Sequence, residues 1–290
     1  MRNIKGILLS GGKGSRLAPL TSIISKHLLP VYDKPLIYYP LSVLMMAQIR
    51  DIMIISTERD LPLFQNLLHD GSNLGMNISY LVQENPNGIA ESLILAEDFI
   101  GQDKVSLILG DNIFYGNDLE NKLVKAANFK SGAKIFIQHV NDPERFGVVS
   151  LKKNGDIDQI IEKPKSPQSN YAVTGLYFYD SNASYFAKKL QPSDRNELEI
   201  TDLNNLYLKE VALDYEILGK GFAWLDTGTY QSLLQASAFV ETLQNQQGIQ
   251  ICCPEEIALM NDWISKSDLE RLIANQSSNY YQYLKALIEN

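Results

Sequence analysis

The sequence predicts a three-layer α/β fold with a mainly parallel central sheet, followed by an antiparallel part and a helical C-terminal part. Three observations carry this prediction. Short apolar runs alternate with helical segments of about ten residues as far as residue 109, a pattern typical of a parallel sheet covered on both faces. No long helix separates the strands that follow Ala133, so that part is expected to be antiparallel. From Tyr230 onward the pattern is mostly helical.

The alternating part has clear strand and helix signals. Apolar runs typical of buried strands are found at residues 4–9, 51–56, 77–82 and 105–109. Helices are predicted at residues 35–48, 61–68 and 89–99. Pro35 suits the first turn of the first helix, because the N–H that proline lacks would be unpaired there anyway. Pro19 prevents a long helix from forming between the first strand and this helix.

The later elements follow from turn residues and apolar patterning. Strands are predicted at residues 133–140, 147–151, 157–162, 172–179, 211–218 and 222–225, with turns at Asp142-Pro143 and Asn154-Gly155. Helices are predicted at residues 181–190, 200–208, 231–246, 255–260, 267–274 and 280–288. We therefore divide the chain into an α/β core, residues 1–228, and a helical part packed on it, residues 229–290. The core falls into halves at residues 1–112 and 113–228.

Composition and charge exclude several classes of protein. The 290 residues are 45% hydrophobic, which is ordinary for a globular protein. The net charge of −8 argues against a nucleic-acid partner, which would favour a basic face. The sequence has no apolar run long enough for a transmembrane helix and no signal-peptide pattern. The two cysteines, Cys252 and Cys253, are adjacent and suit a reducing compartment, so a cytoplasmic location is expected.

A glycine-rich loop follows the first strand, which ends near Leu9. Gly11, Gly12 and Gly14 are three glycines within four residues, and Arg16 follows them. Glycine permits positive φ and lets a ligand approach the backbone, and successive N–H groups in such a turn form a concave anion site. Arginine adds a permanent, fork-shaped cation. The simplest interpretation is a loop that holds a polyphosphate, and the alternative is a plain tight turn.

The loop differs from two better-known phosphate loops. A dinucleotide fingerprint starting at Gly12 would require glycine at the position of Leu17. A Walker loop requires serine or threonine after Lys13, where Gly14 stands. The sequence therefore indicates a phosphate loop of another kind.

Polar residues follow several predicted strands at their carboxyl ends, where ligands bind in open α/β sheets. Gln83 and Gly88 follow the third strand, Asp111 and Asn112 follow the fourth, and Asp226 ends a late strand. Two aspartates at one site are a natural seat for Mg²⁺, although a lone aspartate after a strand is more often a cap or turn residue. The Gln83 amide has both a donor and an acceptor, which matches the edge that thymine and uracil share.

Three charged residues outside the loop are further candidates. Lys163 could hold a phosphate, and Glu162 could accept hydrogen bonds from sugar hydroxyls. The alternative is a solvated Glu–Lys pair. Lys26 has the same two interpretations, phosphate ligand or surface lysine.

These residues lie within motifs that resemble the sugar nucleotidyltransferases. Gly11-Gly12-Lys13-Gly14-Ser15-Arg16-Leu17-Ala18-Pro19-Leu20-Thr21 is similar to the family's G-G-x-G-T-R-L-x-P-x-T signature. The segments that resemble the glucose-1-phosphate thymidylyltransferase branch are residues 25–35, 109–116, 140–149, 162–164, 170–179, 197–202, 224–228 and 252–258. The resemblance covers nearly the whole chain. It implies a Rossmann-like nucleotidyltransferase fold, with residues 1–112 binding nucleotide and residues 113–228 binding sugar phosphate.

The resemblance also implies a reaction and a set of roles. The reaction is Mg²⁺-dependent transfer of a thymidylyl group from dTTP to α-D-glucose 1-phosphate, giving dTDP-glucose and pyrophosphate for dTDP-deoxysugar synthesis, such as that of dTDP-rhamnose. Catalytic roles are implied for Arg16, Lys26 and Lys163, and metal binding for Asp111 and Asp226. Nucleotide binding is implied for Leu9, Gly11, Gly12, Gly14, Ser15, Arg16, Gln83, Gly88 and Asp111. Sugar-phosphate binding is implied for Asn112, Gly147, Glu162, Lys163, Val173 and Tyr177.

Some expectations stay open at this point. The enzyme could use UTP or another hexose 1-phosphate, and a catalytically silent nucleotide-sugar sensor is an alternative of another class. Glu91 and Ser92 depart from the family pattern and are expected to face away from the site. Asn117 and Lys220 depart from the family's regulatory nucleotide site, which lies near a subunit interface. The family resemblance implies a homotetramer, and no nucleic-acid or membrane partner is expected.

Overall fold

Residues 4–289 are described by a computed structural model, and nine strands among them form one mixed sheet. The elements of the first part are β1 (Ile4–Leu9), β2 (Pro30–Val31), β3 (Lys34–Pro35), α1 (Tyr38–Met46), β4 (Asp51–Ser56), α2 (Leu61–Leu68), β5 (Asn77–Val82), α3 (Glu91–Leu95), α4 (Glu97–Ile100), β6 (Lys104–Leu109), β7 (Asn112–Tyr115) and α5 (Leu119–Ala127). Those of the second part are β8 (Ala133–His139), β9 (Gly147–Leu151), β10 (Ile157–Glu162), β11 (Tyr171–Tyr179), α6 (Ala183–Ala187), α7 (Ile200–Glu210), β12 (Leu213–Leu218), β13 (Ala223–Asp226), α8 (Tyr230–Gln247), α9 (Pro254–Met260), α10 (Lys266–Ile273) and α11 (Asn279–Glu289).

The predicted parallel sheet is confirmed in the first part of the chain. Its strand order is β10-β9-β11-β6-β1-β4-β5, and β1, β4, β5 and β6 run parallel. Leu9 lies opposite both Ile55 and Leu109, so three strands end at the same edge of the sheet. Ile7 packs into the core on one face, and its neighbour Leu8 packs into the core on the other. Both faces of β1 are therefore covered, which explains its continuous apolar run.

The later strands extend the same sheet with mixed direction. β11 runs antiparallel to β6, β8 and β9, and β9 runs antiparallel to β10, as expected. β12 follows α6 and α7 along the chain, and it runs parallel to β8 at the outer edge of the sheet. The register of β11 shifts between Val173 and Tyr177. That irregularity lies beside the candidate site.

Several short elements differ from the prediction. The helix expected at 35–48 begins at Tyr38, because Lys34–Pro35 pairs with Pro30–Val31 as a small hairpin. The helix expected at 89–99 is divided into α3 and α4 at Ala96. β7 and α5 were not predicted at all. β7 pairs with β13 in a separate ribbon that places Asp226 opposite Asn112.

Helix α8 packs against the core through a separate apolar cluster, whereas α9, α10 and α11 contribute residues to the core on the Leu8 face of the sheet. Thr229 caps α8, where its side chain accepts a hydrogen bond from the backbone N–H of Ser232. Val240 of α8 lies in one cluster with Val31 and Ile113. Lys34 is buried and donates to Asp33 at 2.6 Å and to Gln244 of α8 at 3.1 Å. Within residues 4–289, no helix has the length and hydrophobicity needed to span a membrane.

Candidate active site

Two adjoining clefts open at the carboxyl edge of the parallel strands. The loop cleft, about 340 Å³, is lined by Leu9, Gly11, Gly12, Arg16, Lys26, His27, Gln83, Pro86, Gly88, Ile89, Leu109, Asp111 and Glu197. The β11 cleft, about 510 Å³, is lined by Arg16, Ile89, Leu109, Asp111, Asn112, Arg145, Phe146, Gly147, Glu162, Lys163, Val173, Thr174, Gly175, Tyr177, Ile200, Thr201, Trp224 and Asp226. Arg16 and Asp111 line both, so the clefts meet at a cation and a carboxylate.

The glycine loop takes a backbone conformation that residues with a side chain rarely adopt. Gly12 and Gly14 have φ values of 91° and 58°, a region that glycine favours. The Thr21 hydroxyl donates to the Gly14 carbonyl at 2.9 Å and closes the loop. Gly11 and Gly12 line the loop cleft, whereas Gly14 and Ser15 shape the loop without lining either cleft.

Asp111 is buried at the junction and held by two donors. Lys26 Nζ donates to Asp111 Oδ2, and Asn112 Nδ2 donates to Asp111 Oδ1 at 2.8 Å. Burial by itself would raise the pKa of this carboxyl, but the Lys26 charge and the two hydrogen bonds hold the pKa well below its usual range. Asp111 is therefore a carboxylate at neutral pH, and Lys26 is not a free surface lysine.

Asp226 faces the same junction from β13. Arg145 Nη2 donates to Asp226 Oδ2 at 2.9 Å. Asp226 and Asp111 both line the β11 cleft, and burial together with the Asp111 charge raises the pKa of Asp226. The Arg16 guanidinium reaches this point as well, since a Cβ added at Gly228 would lie 2.8 Å from Arg16 Nη2. The fold therefore brings the two aspartates predicted from the sequence to one cleft, and their role as metal ligands stays a prediction.

Gln83 and Gly88 form the far wall of the loop cleft. Gln83 is buried and its Nε2 donates to Glu91 Oε2 at 2.7 Å. The expectation that Glu91 faces away is therefore wrong: the first turn of α3 directs it back toward the polar turn. Gly88 has φ of 112°, and a Cβ there would lie 2.4 Å from the Leu198 carbonyl oxygen. Only glycine fits at this position. Ser92 is buried and donates to the Ile89 carbonyl.

The β11 cleft presents a carboxylate and a lysine from one strand end. Glu162 Oε2 accepts from Thr201 Oγ1 at 2.6 Å, and Glu162 Oε1 accepts from Arg195 Nη2 at 3.2 Å. Lys163 has a positive φ of 42°, and its Nζ lies 3.4 Å from Glu162 Oε1. Opposite them, a Cβ added at Gly147 would lie 2.9 Å from Thr201 Oγ1. The glycine leaves room for a ligand at Glu162.

Asn112 braces the floor of the β11 cleft. Its Oδ1 accepts from the Gly175 backbone N–H at 3.2 Å and from Trp224 Nε1 at 2.5 Å. Gly175 lies in the register shift of β11, which frees its N–H from the ladder. Val173 and Tyr177 line the cleft on either side of this point. All six residues expected on the sugar-phosphate side thus lie in one cleft.

Sequence reasoning missed several lining residues. Arg145, Thr201 and Trp224 line the β11 cleft, and Arg195 holds Glu162 from its rim. All except Arg195 lie inside the motifs that carry the family resemblance. Arg145 could have been found as an arginine inside one of the motifs that carry the family resemblance, residues 140–149. The contact that makes Arg195 relevant depends on tertiary structure alone.

His27 is buried beside the junction. Its Nδ1 lies 3.1 Å from the Ser25 hydroxyl, which satisfies one ring nitrogen. Burial and the Lys26 charge lower the pKa of His27 to about 3. His27 is therefore a neutral ring that lines the loop cleft.

Asn117 lines a separate cleft of about 750 Å³ between the β7–α5 segment and α9. Lys220 lies outside the residues that line it. The pairing of Tyr115 with Ala223 and the close approach of Phe222 to Gly116 nevertheless bring the segments that carry Asn117 and Lys220 next to each other.

The carboxylates of Asp111 and Asp226 suit a metal ion that prefers oxygen ligands and that also binds substrate oxygens. Within residues 4–289, no group of three or more His, Cys, Asp or Glu side chains could by itself hold a metal ion. Asp111 and Asp226 supply carboxylate oxygens at the cleft, which is the partial set that Mg²⁺ completes with phosphate oxygens and water. The residues present therefore fit Mg²⁺ better than zinc or iron.

Known proteins resemble this chain over most of its length. The family model for nucleotidyl transferases matches residues 5–243. The chain is 55% identical over 288 residues to the glucose-1-phosphate thymidylyltransferase of Xanthomonas campestris pv. campestris (strain B100), covering 99% of this chain and 98% of that protein. It is 54% identical over 287 residues to the protein of that name from Neisseria meningitidis serogroup A, covering 99% of this chain and 100% of that protein.

A solved structure shares the fold. It is a Bacillus anthracis protein described as a glucose-1-phosphate thymidylyltransferase, in complex with sucrose. The two chains are 46% identical and superpose with a TM-score of 0.76, over 81% of this chain and 94% of that one. The sequence motifs, the clefts and these similarities agree.

Proposed function

The chain belongs to the glucose-1-phosphate thymidylyltransferase family of nucleotidyl transferases, and from this premise we propose that it makes dTDP-glucose and pyrophosphate from dTTP and α-D-glucose 1-phosphate. The observation that carries the proposal is the junction of the two clefts. Arg16 and Asp111 line both, with Lys26 bonded to Asp111. A nucleotide in the loop cleft and a sugar phosphate in the β11 cleft would meet at this point.

The chemistry requires positioning and positive charge. An oxygen of the sugar phosphate attacks the α-phosphorus of dTTP, that P–O bond forms, and the bond to the β-phosphate breaks as pyrophosphate leaves. The nucleophile is already an anion, so the site needs no strong base. The difficulty is to bring two anions together and to stabilise the charge that develops. Arg16, Lys26 and Lys163 supply cations around the junction.

We assign the ligands of each cleft as follows. The backbone of the Gly11–Gly12 loop and Arg16 hold the triphosphate, and Gln83 with the backbone beside Gly88 reads the base. Lys163 holds the phosphate of the sugar phosphate, and Glu162 accepts sugar hydroxyls. The remaining nucleotide-side residues are Leu9, Gly14 and Ser15. The remaining sugar-side residues are Asn112, Gly147, Val173 and Tyr177.

We propose Mg²⁺ as the metal, held by Asp111 and Asp226. When bound, it would supply positive charge to the phosphate oxygens. Burial and the Asp111 charge raise the pKa of Asp226, and a divalent cation held by the two aspartates would offset both effects. Arg145 already supplies one positive charge beside Asp226, with which it forms an ion pair.

The wider setting is also part of the proposal. A cytoplasmic enzyme suits the free thiols Cys252 and Cys253, and its product would feed dTDP-deoxysugar synthesis. We propose a homotetramer, which light scattering after size-exclusion chromatography would test. A silent sensor is disfavoured, because Arg16, Asp111 and Asp226 are all present and convergent.

A pyrophosphate-release assay over a grid of nucleotides and sugar phosphates tests the activity. We expect turnover with dTTP and glucose 1-phosphate that stops when Mg²⁺ is removed by chelation. The thymine methyl contributes only about 1 kcal/mol by burial, so weaker use of UTP is expected. Equal or faster turnover with UTP would make the chain a uridylyltransferase. Nucleotide binding without turnover would favour the sensor.

A further inference from the structure

The carboxylate of Glu91 holds the side-chain amide of Gln83 from behind the loop cleft. Gln83 Nε2 donates to Glu91 Oε2 at 2.7 Å, and Asn87 Nδ2 donates to Glu91 Oε1 at 2.8 Å. Each oxygen of Glu91 therefore accepts from a side-chain amide. Glu91 is half-buried and lines neither cleft, so it acts on the loop cleft only through Gln83.

The hydrogen bond to Glu91 defines which side of the Gln83 amide the nitrogen occupies and which side the oxygen occupies. A carboxylate offers only acceptors, so it pairs with the NH₂ end of a glutamine and repels the oxygen end. The oxygen is left on the other side, where a Cβ added at Gly11 would lie 2.9 Å from Gln83 Oε1. Gly11 lines the loop cleft. Gln83 thus presents an acceptor beside the glycine loop.

The turn that carries Glu91 is fixed to a second part of the chain. The Leu198 backbone N–H donates to the Asn87 carbonyl at 2.6 Å, and the Ala90 N–H donates to the Leu198 carbonyl at 3.2 Å. Residues on both sides of Gly88 are therefore bonded to Leu198. This leaves Glu91 little freedom to follow Gln83 if the amide turns.

We propose that Glu91 is a positioning residue that selects the base, by fixing Gln83 with its oxygen toward the cleft. The inference rests on the proposed function, in which Gln83 reads the base. Thymine and uracil carry an N3–H that this oxygen accepts, whereas N3 of cytosine is itself an acceptor. A free glutamine amide could turn over and pair with cytosine. Glu91 opposes this, because the turned amide would place Oε1 against its carboxylate.

The test compares Glu91→Gln with Glu91→Ala in steady-state assays with dTTP, UTP and dCTP. In Glu91→Gln the new amide can pair with either end of Gln83, so the preference for dTTP over dCTP in kcat/KM should fall about tenfold, the effect of one misdirected hydrogen bond. The change should fall on KM for the nucleotide, with KM for glucose 1-phosphate unchanged. Glu84→Gln, which removes an exposed acid of the same turn, should keep the parental preference.

A double-mutant cycle shows whether Glu91 acts through Gln83. In a Gln83→Ala background, Glu91→Gln should leave the dTTP-to-dCTP ratio unchanged. A parental ratio in both Glu91 variants would overturn the proposal, as would an equal fall in the Gln83→Ala background or in Glu84→Gln.

Calorimetric titration with dTTP and dCTP alone separates this inference from the proposed function. Binding is measured without any sugar phosphate, so the effect of Glu91 remains visible if the parent does not turn over glucose 1-phosphate. We expect the ratio of the two Kd values to fall in Glu91→Gln. An unchanged ratio in a folded variant, as judged by circular dichroism, contradicts the role of Glu91 whatever the enzyme's substrate.

Discussion

Lys26 Nζ donates a hydrogen bond to Asp111 Oδ2 where the loop cleft and the β11 cleft meet. The two residues are 85 positions apart in the sequence, and both side chains are largely shielded from water. The pair therefore places a cation and a carboxylate at the point where nucleotide and sugar phosphate would approach each other.

Replacing Lys26 should impair turnover far more than replacing another lysine of the same loop region. Lys26→Met removes a cation from the junction, and we expect kcat/KM for dTTP to fall at least about 100-fold. Lys13→Met is the matched control, since Lys13 is exposed and lines neither cleft, and it should change kcat/KM by less than about threefold. Equal losses in the two variants would show that only the net charge of the loop matters.

Asp111→Asn and Asp226→Asn should each lower kcat at least about 100-fold at saturating Mg²⁺, because each carboxylate is a proposed metal ligand. Thermal unfolding should show that both variants fold. Asp142→Asn is the control for Asp226, because Asp142 pairs with the same Arg145, at 2.6 Å, outside both clefts. Near-normal turnover in either variant would remove that aspartate from the metal site.

Lys163→Ala should raise KM for glucose 1-phosphate strongly and KM for dTTP much less. The reason is that Lys163 lines only the β11 cleft, beside Glu162. In the reverse assay, dTDP-glucose use should suffer while pyrophosphate affinity is spared. The exposed Lys165→Ala is the control. Impaired pyrophosphate binding with an unchanged KM for glucose 1-phosphate would contradict this assignment, because it would place Lys163 at the pyrophosphate end of the site.

His27→Gln should make the protein less sensitive to acid. Burial lowers the pKa of His27 from 6.5 to about 3. Between these pH values the unfolded chain binds a proton on His27 and the folded chain does not. The contribution of His27 to the free energy of unfolding is therefore fully present above pH 6.5. It is lost as the pH falls from 6.5 toward 3, by up to about 1.4 kcal/mol per pH unit.

Urea unfolding of parent and His27→Gln between pH 7 and pH 4.5 measures this difference. The free energy of unfolding should fall more steeply with decreasing pH in the parent. Parallel curves would mean that His27 takes up its proton without unfolding. Comparing slopes removes any constant destabilisation that the substitution causes.

Much of the parallel sheet could be predicted because its signals are local. β1, β4, β5 and β6 are apolar runs flanked by turn residues, and their bounds agree with the prediction to within one residue. β7 was missed because it follows β6 after only Gly110 and Asp111, so the two strands look like one broken run. Its partner β13 lies more than a hundred residues away, and pairing at that distance leaves no local pattern.

The sequence by itself identified the family, and it singled out the glycine loop and the two aspartates as candidates, because glycines, charges and motif spacing are properties of the linear chain. Only the tertiary structure decided which charges meet. Arg145 reaches Asp226, and Arg195 reaches Glu162, through contacts between residues that lie far apart in the sequence. The side chain of Glu91 was expected to face outward, yet its direction is set by a turn bonded to Leu198. Such directions depend on packing between distant segments, which no local residue pattern encodes.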